Sequence, residues 1–457
     1  MIDDYGVELS YSELNVECSE LAGDIGRRCP VMCFCTNTLG SLLGYVAFLN
    51  SGIVPIMVDA DLNRELLSDL KDKYKPQYYW LPDNKADDID GWKICDLHGY
   101  TLVRSEYEEE FPLYGDLALL LTTSGSTGSP KLVRQSYANI KSNARSIAEY
   151  LELDENERPI TTLPMNYTYG LSIINSHLLV GAEIVLTGHT LMQKEFWQTF
   201  KSRGATSFGG VPYTYEMLDK LRFFRMELPS LKTMTQAGGK LSVELHKKFA
   251  EYALNSGRKF VVMYGQTEAT ARMAYLPPDK ALEKCGSMGI AIPGGKFTLA
   301  DADGKAVADP DVVGELIYEG DNVTLGYAEC GADLEKGDER HGVLQTGDMA
   351  KRDADGYYYI VGRKKRFLKI FGSRVNLDET ERILKKHFPD LDCAVGGVDD
   401  KMYVFVAGKN GNDGIKKFLS ETLGFFQSAF TVIDIDAIPR NEAGKTLYSA
   451  LARYYGG

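Results

Sequence analysis

The chain has 457 residues, of which 44% are apolar and 25% are charged, the composition of an ordinary soluble globular protein. A chain of this length predicts two or three folded units. Its formal net charge of −13 disfavours a general nucleic-acid binder or an anionic-membrane binder, because both need a cationic surface, but it does not exclude a small anionic ligand.

The N-terminal segment, MIDDYGVELSYSEL, is acidic and polar. It has no basic stretch followed by an apolar core, so it does not predict a signal peptide. The longest apolar candidate for a membrane span, 42–58, is interrupted by glycines, Asn50, Ser51 and Pro55. We therefore expect a cytoplasmic protein with no membrane insertion.

Eight cysteines are scattered along the chain, a pattern typical of free thiols rather than of a disulfide framework. Cys29, Cys33 and Cys35 lie close together in RRCPVMCFCTN. No nearby histidine completes a ligand set, and cysteine packs as a small apolar side chain. The cluster is therefore interpreted as part of a core rather than as a metal site.

The first half of the chain alternates short apolar runs with helical patterns. The helical patterns are 11–26, 41–52, 62–74, 139–151, 171–181 and 196–204. The strand-like runs are 31–36, 54–59, 77–82, 117–121, 131–136, 160–165, 182–187, 206–212 and 259–265. This alternation predicts α/β architecture, with largely parallel sheets and helices on their faces.

The pattern changes after about residue 285. The stretch 294–327 is rich in β-formers, glycine and aspartate, which favours a small antiparallel barrel or meander. DADG at 353–356 is typical of a tight turn between two strands, and the remaining sequence indicates a small α+β domain. The basic run GRKKRFLK suggests a boundary there, so we expect an N-terminal domain at 1–363 and a mobile C-terminal domain at 364–457.

The most informative stretch is LTTSGSTGSPK, which directly follows the apolar strand. Its glycines let backbone N–H groups approach a ligand, its hydroxyls add donors, and Lys131 adds a positive charge. Together they predict a polyphosphate cradle. A P-loop is disfavoured because Pro130 precedes the lysine and opposes a helix start at Ser129. The alternative is a serine- and glycine-rich surface turn.

LTTSGSTGSPK resembles the phosphate loop of the adenylate-forming (AMP-binding) superfamily, which includes acyl-CoA synthetases, amino-acid adenylation domains and luciferases. Four further stretches resemble that family's motifs in the expected order: VMYGQTEAT, GELIYEGDNVTLGY, TGDMAKRDADGYYYIVGR and IPRNEAGKT. The resemblance runs from residue 11 to residue 446. It implies a large N-terminal domain with two αβα-type subdomains and a small β-barrel, followed by a small mobile lid.

The resemblance also implies an ATP site with Mg²⁺. Thr267 would contact the α-phosphate, Glu268 would hold the metal, and Asp348 would accept both ribose hydroxyls. The implied ATP-binding residues are Thr123, Ser124, Gly125, Ser126, Thr127, Gly128, Lys131, Gly238, Gly239, Tyr264, Gly265, Gln266, Asp348 and Arg363. Read without the family, Glu268 is better explained as a solvated acid in a strand-end turn, and the alternative for Asp348 is a turn aspartate that caps its own backbone.

Three further residues take family roles in the C-terminal part. Lys445 would bridge the substrate carboxylate and the α-phosphate, because a cation is needed where two anions meet. Lys365 matches the hinge position, and Gly372 would line the tunnel for the thiol. The alternatives are an exposed loop lysine for Lys445 and a solvated basic face for GRKKR.

The implied acyl pocket has aromatic walls. Tyr167 stands where many acyl-CoA synthetases have a histidine, and residues 165–172 contain no acid to hold an ammonium group, which disfavours an α-amino acid. The implied pocket residues are Tyr167, Tyr169, Gly170, Gly210, Val211, Tyr213 and Ala237. The tyrosines could equally be core packing.

The reaction implied has two halves: a carboxylic acid attacks ATP to give an acyl-adenylate and pyrophosphate, and a thiol then displaces AMP. The thiol would belong to coenzyme A or to pantetheine on a separate carrier protein. The main alternative is a stand-alone amino-acid adenylation enzyme that loads a separate carrier. Two less favoured hypotheses are a phosphotransferase that releases ADP and a non-catalytic nucleotide-binding module.

Overall fold

The computed structural model describes residues 1–122, 131–370, 373–398, 400–408, 412–440 and 446–455; of residues 365, 367, 369, 373, 374, 412 and 413 it describes the backbone alone. The chain forms two compact units. The described residues of the first lie within 1–122, 131–297 and 318–344, and those of the second lie within 298–317 and from 345 onwards.

In chain order, the helices are α1 Tyr11–Ile25, α2 Leu39–Asn50, α3 Arg64–Tyr74, α4 Tyr137–Leu151, α5 Thr168–Leu179, α6 Lys194–Ser202, α7 Pro212–Lys220, α8 Val243–Ser256, α9 Leu377–His387, α10 Asn412–Leu423 and α11 Tyr448–Ala452. The strands are β1 Pro30–Cys35, β2 Val54–Asp59, β3 Tyr78–Pro82, β4 Trp92–Leu97, β5 Tyr100–Arg104, β6 Leu117–Thr122, β7 Leu132–Ser136, β8 Ser207–Gly210, β9 Thr233–Gln236, β10 Lys259–Tyr264, β11 Ala274–Tyr275, β12 Ile290–Ala291, β13 Lys296–Ala300, β14 Ala306–Val307, β15 Gly314–Glu319, β16 Gly326–Ala328, β17 Val343–Arg352, β18 Tyr358–Arg363, β19 Phe367–Ile370, β20 Ser373–Asn376, β21 Cys393–Val398, β22 Lys401–Ala407 and β23 Phe430–Ile435.

The first unit contains two mixed sheets, each with a block of parallel strands. One has the strand order β16-β7-β6-β2-β1-β3-β5-β4, with β6, β2, β1 and β3 parallel and antiparallel strands at both edges. The other has the order β12-β11-β10-β9-β8, with β8, β9 and β10 parallel. The carboxyl ends of the parallel strands in each sheet therefore meet at one edge, which is where ligands bind in folds of this kind.

Strand β1 shows why these sheets are covered on both faces. Val31, Cys33 and Cys35 point into a core shared with α1 and α2, whereas Met32 and Phe34 point into a second core shared with α3. Alternate side chains of a strand face opposite sides, so a strand buried on both faces is a continuous apolar run. The cysteines are free thiols, and burial raises the pKa of Cys33 and Cys35.

Helix α1 begins and ends where its sequence predicts. The Ser10 hydroxyl accepts from the Glu13 N–H at 3.2 Å while the Glu13 carboxylate accepts from the Ser10 N–H at 2.8 Å. The helix ends at Gly26, whose φ of 66° is the left-handed conformation that glycine adopts readily.

Two runs expected to be strands, 160–165 and 182–187, form only isolated bridges, one of them between Ile160 and Val185. The backbone of Val185 bonds to Pro159 and Thr161, and beyond this bridge the Thr187 N–H donates to Thr161 Oγ1 at 2.9 Å instead of to a carbonyl oxygen. Pro164, which has no N–H to donate, ends the first run. The expectation of full strands there was wrong.

The second unit contains the β-rich stretch and the α+β segment. One sheet has the order β14-β13-β15-β17-β18, and another pairs β21, β22 and β23 against α9 and α10. The predicted DADG turn joins β17 to β18: the Asp353 carboxylate accepts from the N–H groups of Asp355 and Tyr357, and Gly356 has a φ of 90°. None of the helices in the described ranges has the length and apolar character needed to span a bilayer.

Candidate active site

A tight turn follows β10 and places three of the predicted residues at the carboxyl end of that strand. A Cβ on Gly265 would lie 1.5 Å from the Ala271 carbonyl oxygen, so only glycine fits there. Thr270 and Ala271 have φ values of 57° and 122°, which side-chain-bearing residues rarely adopt. Such outliers cluster at functional sites. The turn holds Gln266, Thr267 and Glu268 at the edge where the parallel strands end.

Glu268 is fixed at both its backbone and its side chain. The Tyr327 hydroxyl donates to Glu268 Oε1 at 2.6 Å. The Glu268 carbonyl oxygen accepts from the Thr324 N–H, the Thr324 hydroxyl and Arg340 Nη1, each at 3.0 Å. Burial, followed by the Glu268 carboxylate, raises the pKa of Tyr327 to about 12, so this hydroxyl remains a donor at neutral pH.

Two cations lie against the ring of the same tyrosine. Lys131 Nζ is 5.8 Å and the Arg340 guanidinium carbon is 4.7 Å from the centroid of the Tyr327 ring. Lys131 also pairs with Glu329 at 2.6 Å. We call Lys131, Glu268, Tyr327 and Arg340 the Tyr327 cluster. It brings together two predicted residues, Lys131 and Glu268, and two that the sequence did not suggest.

The register of the strands sets the distance between the members of this cluster. Tyr327 lies opposite Val133 across the β16–β7 pair, two residues after Lys131. Arg134 fastens that pair from within the core: its Nε donates to the Tyr327 carbonyl oxygen at 3.0 Å, and it forms an ion pair with Glu339. The lysine and the tyrosine are thus placed by one β-ladder.

The cluster suits a metal-bound polyphosphate. Mg²⁺ is usually held by one or two carboxylates together with substrate phosphates and water, so Glu268 alone is a sufficient protein ligand. Within the described ranges, no group of three or more His, Cys, Asp or Glu side chains is placed to hold a metal ion. The cations Lys131 and Arg340 suit phosphate oxygens.

The predicted phosphate loop lies between two strands that the structure describes. Strand β6 ends at Thr122, which pairs with Leu132 of β7, so the predicted phosphate loop connects two neighbouring strand ends. The predictions that lie outside the described residues are Thr123, Ser124, Gly125, Ser126, Thr127, Gly128, Gly372 and Lys445.

The acyl-pocket prediction is centred on a contact between Tyr167 and Gly238. Gly238 has a φ of +81°, and a Cβ there would lie 2.6 Å from the Tyr167 hydroxyl and 3.0 Å from a Val211 methyl group. Gly239 packs similarly against Pro212. Burial raises the pKa of Tyr167 to about 12. The absence of a side chain at Gly238 therefore leaves room for the hydroxyl group of Tyr167.

Other residues predicted for the acyl pocket pack around that contact. Tyr169 is buried, and its hydroxyl lies 2.9 Å from Thr235 Oγ1. Tyr169, Val211 and Ala237 belong to one apolar cluster of the first unit. Two positions leave no room for a side chain. A Cβ at Gly170 would lie 2.4 Å from the Pro164 carbonyl oxygen, and a Cβ at Gly210 would lie 2.8 Å from the Thr214 methyl carbon. By contrast, Tyr213 is 56% exposed in the first turn of α7.

A buried arginine that the sequence did not suggest lies beside Tyr169. Arg272 is only 2% exposed, and its guanidinium carbon is 4.6 Å from the centroid of the Tyr169 ring. Its Nε donates to Ser172 Oγ and its Nη1 to the Tyr150 hydroxyl, both at 3.1 Å. The available signal was a single arginine in the otherwise apolar run ARMAYLP.

In the second unit, Asp348 and Arg363 are direct cross-strand neighbours on β17 and β18. Asp348 is 6% exposed, whereas the Arg363 side chain is 65% exposed, and their Oδ1 and Nε atoms are 3.6 Å apart. A buried carboxylate beside an exposed guanidinium is a suitable pair for a ribose and a nearby phosphate.

The backbone of Lys365 lies in a short 3₁₀ turn, Lys364–Arg366, directly after β18. The next residue, Arg366, is buried: it pairs with Asp378 at 2.8 Å and Glu381 at 2.7 Å and lies 3.6 Å from the ring centroid of Tyr448. The basic run is therefore anchored inside the second unit and is not a uniformly solvated face. Tyr448 stands three residues after Lys445 in the sequence.

Residues 1–328 match the sequence model of a family described as AMP-binding enzyme. The chain belongs to this family. The match confirms the predicted superfamily.

Two curated relatives illustrate what this AMP-binding enzyme is similar to. A probable CoA ligase of Humulus lupulus is 28% identical over 355 residues, which cover 74% of this chain and 66% of that protein. The oxalate–CoA ligase of Arabidopsis thaliana is also 28% identical over 355 residues, covering 74% and 68%. The chain thus spans about two thirds of the length of the curated relatives it matches. Their names agree with the predicted class of activity, an AMP-forming acid–thiol ligase.

Solved structures with the same fold cover nearly the whole chain. The o-succinylbenzoate CoA synthetase of Bacillus subtilis, solved with its acyl-adenylate intermediate, has a TM-score of 0.79 at 20% identity and covers 98% of this chain and 94% of its own. ATP-bound MatB from Rhodopseudomonas palustris has a TM-score of 0.80 at 22% identity, with 99% and 95% covered. These matches confirm the predicted α/β fold with a large N-terminal part and a smaller C-terminal part.

Proposed function

We propose that this AMP-binding enzyme activates a small carboxylic acid with ATP and Mg²⁺ and transfers the acyl group to the thiol of coenzyme A. The observation that carries the proposal is the Tyr327 cluster, in which Glu268 is held at the carboxyl end of a parallel strand next to two cations. The names of the relatives support the same activity, since they include CoA ligases for oxalate, sulfoacetate and 2-succinylbenzoate.

In the first half-reaction, a carboxylate oxygen of the acid attacks the α-phosphorus, and the bond from that phosphorus to the bridging oxygen breaks to release pyrophosphate. Glu268 would hold Mg²⁺, which neutralises phosphate charge when bound. Lys131 and Arg340 would bind phosphate oxygens, because their fixed charges stabilise the developing negative charge. Thr267 would contact the α-phosphate from the same turn.

In the second half-reaction, the thiolate sulfur attacks the acyl carbonyl carbon and AMP leaves with the electron pair. We propose that Lys445 serves the first half, and that rotation at Lys365, at the boundary between 1–363 and 364–457, brings the Gly372 segment to the thiol. Asp348 and Arg363 would bind the ribose and a phosphate. The names of the relatives favour coenzyme A over a separate carrier protein as acceptor.

The pocket favours an acid without an α-ammonium group. Within residues 165–172 there is no carboxylate, and the buried charge in this region, Arg272, has the same sign as an ammonium group. A buried ammonium without an anionic partner is costly. We also propose a reducing compartment such as the cytoplasm, because the cysteines are free and several are buried as thiols.

The test is product analysis with a panel of acids, ATP, Mg²⁺ and coenzyme A. AMP, pyrophosphate and a thioester are the expected products. ADP with a phosphorylated acid would identify a phosphotransferase instead. Pyrophosphate exchange that occurs only with amino acids would identify an amino-acid adenylation enzyme. Glu268→Gln should abolish most of the AMP formed, whereas Glu283→Gln, at an exposed glutamate paired with Lys280, should not.

A second variant tests the proposed role of Lys445. Lys445→Ala should lower adenylate formation by several orders of magnitude, because a positioned charge acts in the transition state, and should leave ATP binding nearly unchanged. ATP affinity measured by calorimetry separates the two effects. Normal adenylate formation in this variant would remove Lys445 from the mechanism.

A further inference from the structure

Two consecutive residues of the turn after β10 have positive φ values although neither is glycine. Thr270 has a φ of 57° and Ala271 a φ of 122°. For a β-branched residue such as threonine this is a clear outlier, and such a conformation persists only where the surrounding structure holds it. The backbone bond from the Ala271 N–H to the Gln266 carbonyl oxygen is 3.3 Å long, at the weak end of the range. The turn therefore depends on contacts with other parts of the chain.

A single buried side-chain amide spans these two residues. Asn322 is 2% exposed, and its Nδ2 donates to the Ala269 carbonyl oxygen at 2.8 Å and to the Arg272 carbonyl oxygen at 3.0 Å. Those two carbonyl groups belong to the residues directly before Thr270 and directly after Ala271. The Thr270 hydroxyl donates in return to the Asn322 carbonyl oxygen at 2.7 Å. The amide thus holds both ends of the strained pair.

The partners of the amide also determine its orientation. Both acceptors of Nδ2 are carbonyl oxygens, which cannot donate, so the nitrogen of Asn322 faces them. On the opposite side, the hydroxyl of the buried Tyr318 donates to Asn322 Oδ1 at 2.8 Å. A Cβ on Gly320 would lie 2.7 Å from the same Oδ1, so the amide is closely packed on that side as well. Both the nitrogen and the oxygen of the amide are therefore paired.

The segment that carries Asn322 also contacts Glu268. Thr324, two residues further on, donates to the Glu268 carbonyl oxygen through both its N–H and its hydroxyl. Tyr327 donates to the Glu268 carboxylate. One short segment, 322–327, therefore bonds to the backbone of the turn and to the side chain that the turn presents.

Helix α4 holds this segment independently of the turn. Nδ2 of Asn139, in the first turn of α4, donates to the Asp321 carbonyl oxygen at 2.7 Å and to the Val323 carbonyl oxygen at 2.8 Å. Those two residues flank Asn322 in the sequence. The amide of Asn322 is thus supported by an element that does not belong to the turn it holds.

We propose that Asn322 is a positioning residue for adenylate formation: its amide holds the turn 266–272 in the conformation that presents Thr267 and Glu268 to Mg·ATP. This inference rests on the proposed function, in which Glu268 holds the metal. Without the amide, the turn would relax towards negative φ at Ala271, because a residue with a side chain favours that region. The Glu268 carboxylate would then spend less time in the position that Mg·ATP needs.

Asn322→Ala tests the proposal through the dependence of pyrophosphate exchange on Mg²⁺. Loss of two hydrogen bonds to the backbone should lower kcat/KM for Mg·ATP by about 10- to 100-fold and raise the Mg²⁺ concentration for half-maximal exchange by about tenfold. Binding of ATP in EDTA, measured by calorimetry, should stay within about threefold, because Glu268 acts through the metal. Asn175→Ala is the matched control: Asn175 also accepts from a tyrosine hydroxyl, that of Tyr45 at 2.8 Å, but lies on α5, and its loss should leave the Mg²⁺ dependence unchanged.

A second substitution distinguishes strain in the turn from simple loss of packing. Glycine adopts positive φ without steric cost, so Ala271→Gly should lower the need for the amide. Its effect on kcat/KM should be more favourable by at least about fivefold in the Asn322→Ala background than in the wild-type background. Ala269→Gly is the control for added flexibility, since Ala269 lies in the same turn without a positive φ and should show no such coupling.

The possible failures can be told apart. If Asn322→Ala lowers the melting temperature but leaves the Mg²⁺ dependence of the folded protein unchanged, Asn322 is only structural and the proposal is refuted. Equal coupling for Ala269→Gly and Ala271→Gly would refute the role of strain.

Two further outcomes have their own readout. If Asn322→Ala does not fold, Tyr318→Phe decides, because it keeps the amide and removes only the donor to Oδ1: a rise of about threefold in the Mg²⁺ requirement supports the proposal, and an unchanged requirement refutes it. If folded, ATP-binding wild-type protein gives no AMP and pyrophosphate with any acid, the proposed function itself fails.

Discussion

Removing the Tyr327 hydroxyl is the most direct test of how the Tyr327 cluster works. Tyr327→Phe deletes a single donor, the one that meets Glu268 Oε1 at 2.6 Å, and keeps the ring that both cations contact. A hydrogen bond to a charged group contributes about 1.5–3 kcal/mol. If that energy serves to orient the carboxylate for Mg²⁺, kcat/KM for Mg·ATP should fall by about 10- to 150-fold.

The assay is acid-dependent pyrophosphate exchange as a function of Mg²⁺ concentration. Tyr79→Phe is the matched control, because the buried Tyr79 hydroxyl has no hydrogen-bond partner among the described residues and its strand, β3, is four positions away from β7 in the sheet. It should leave exchange unchanged and should not lower the melting temperature. A loss of less than about threefold in Tyr327→Phe would show that the hydroxyl does not orient Glu268 for catalysis.

Three further predictions concern the pocket, the second unit and acid stability. Gly238→Ala should raise KM for the acid about tenfold, because the new Cβ would meet Tyr167, which we propose lines the acyl pocket. Gly304→Ala is the control: its φ of +79° is similar, and no atom of the described residues lies within 4 Å of the new Cβ, so it should lower stability alone. Arg366→Met should destabilise the second unit by about 3–5 kcal/mol in chemical denaturation, since it leaves Glu381 buried and unpaired. Burial lowers the pKa of His177 from 6.5 to about 4, so below pH 6.5 the unfolded state binds more protons than the folded state. The free energy of unfolding should therefore fall on acidification, by about 2 kcal/mol at pH 5. His177→Gln should reduce this dependence of stability on pH, and an unchanged dependence would contradict the assignment.

Where local chemistry decides the structure, the sequence was sufficient. Ser10, Glu13 and Gly26 define α1, the apolar run 30–35 is a strand buried on both faces, and the Asp353 turn joins β17 to β18 as predicted. The expected strands at 160–165 and 182–187 are reduced to bridges around Val185, because Pro164 ends the first run and the Thr161 hydroxyl takes the Thr187 N–H, a competition that periodicity cannot reveal.

Residues of the candidate site could be predicted only where they lie in a recognisable sequence motif. Glu268 and Lys131 were found through their neighbours in the sequence, but Tyr327 and Arg340 join them through the pairing of β16 with β7 and a contact 72 residues away along the chain. Arg272 was missed for a similar reason: its burial comes from α4, α5 and β10, which meet only in three dimensions.

The pairing of β7 with β16 has a consequence for engineering. Arg134 holds β7 and β16 together, with Tyr327 opposite Val133. A foreign segment that replaces residues 123–130 would therefore be followed by β7, whereas Tyr327 comes from β16, a distant part of the chain. Loop cassettes exchanged between family members should therefore function only when residues 132–134 and 326–328 are transplanted with them as a matched set.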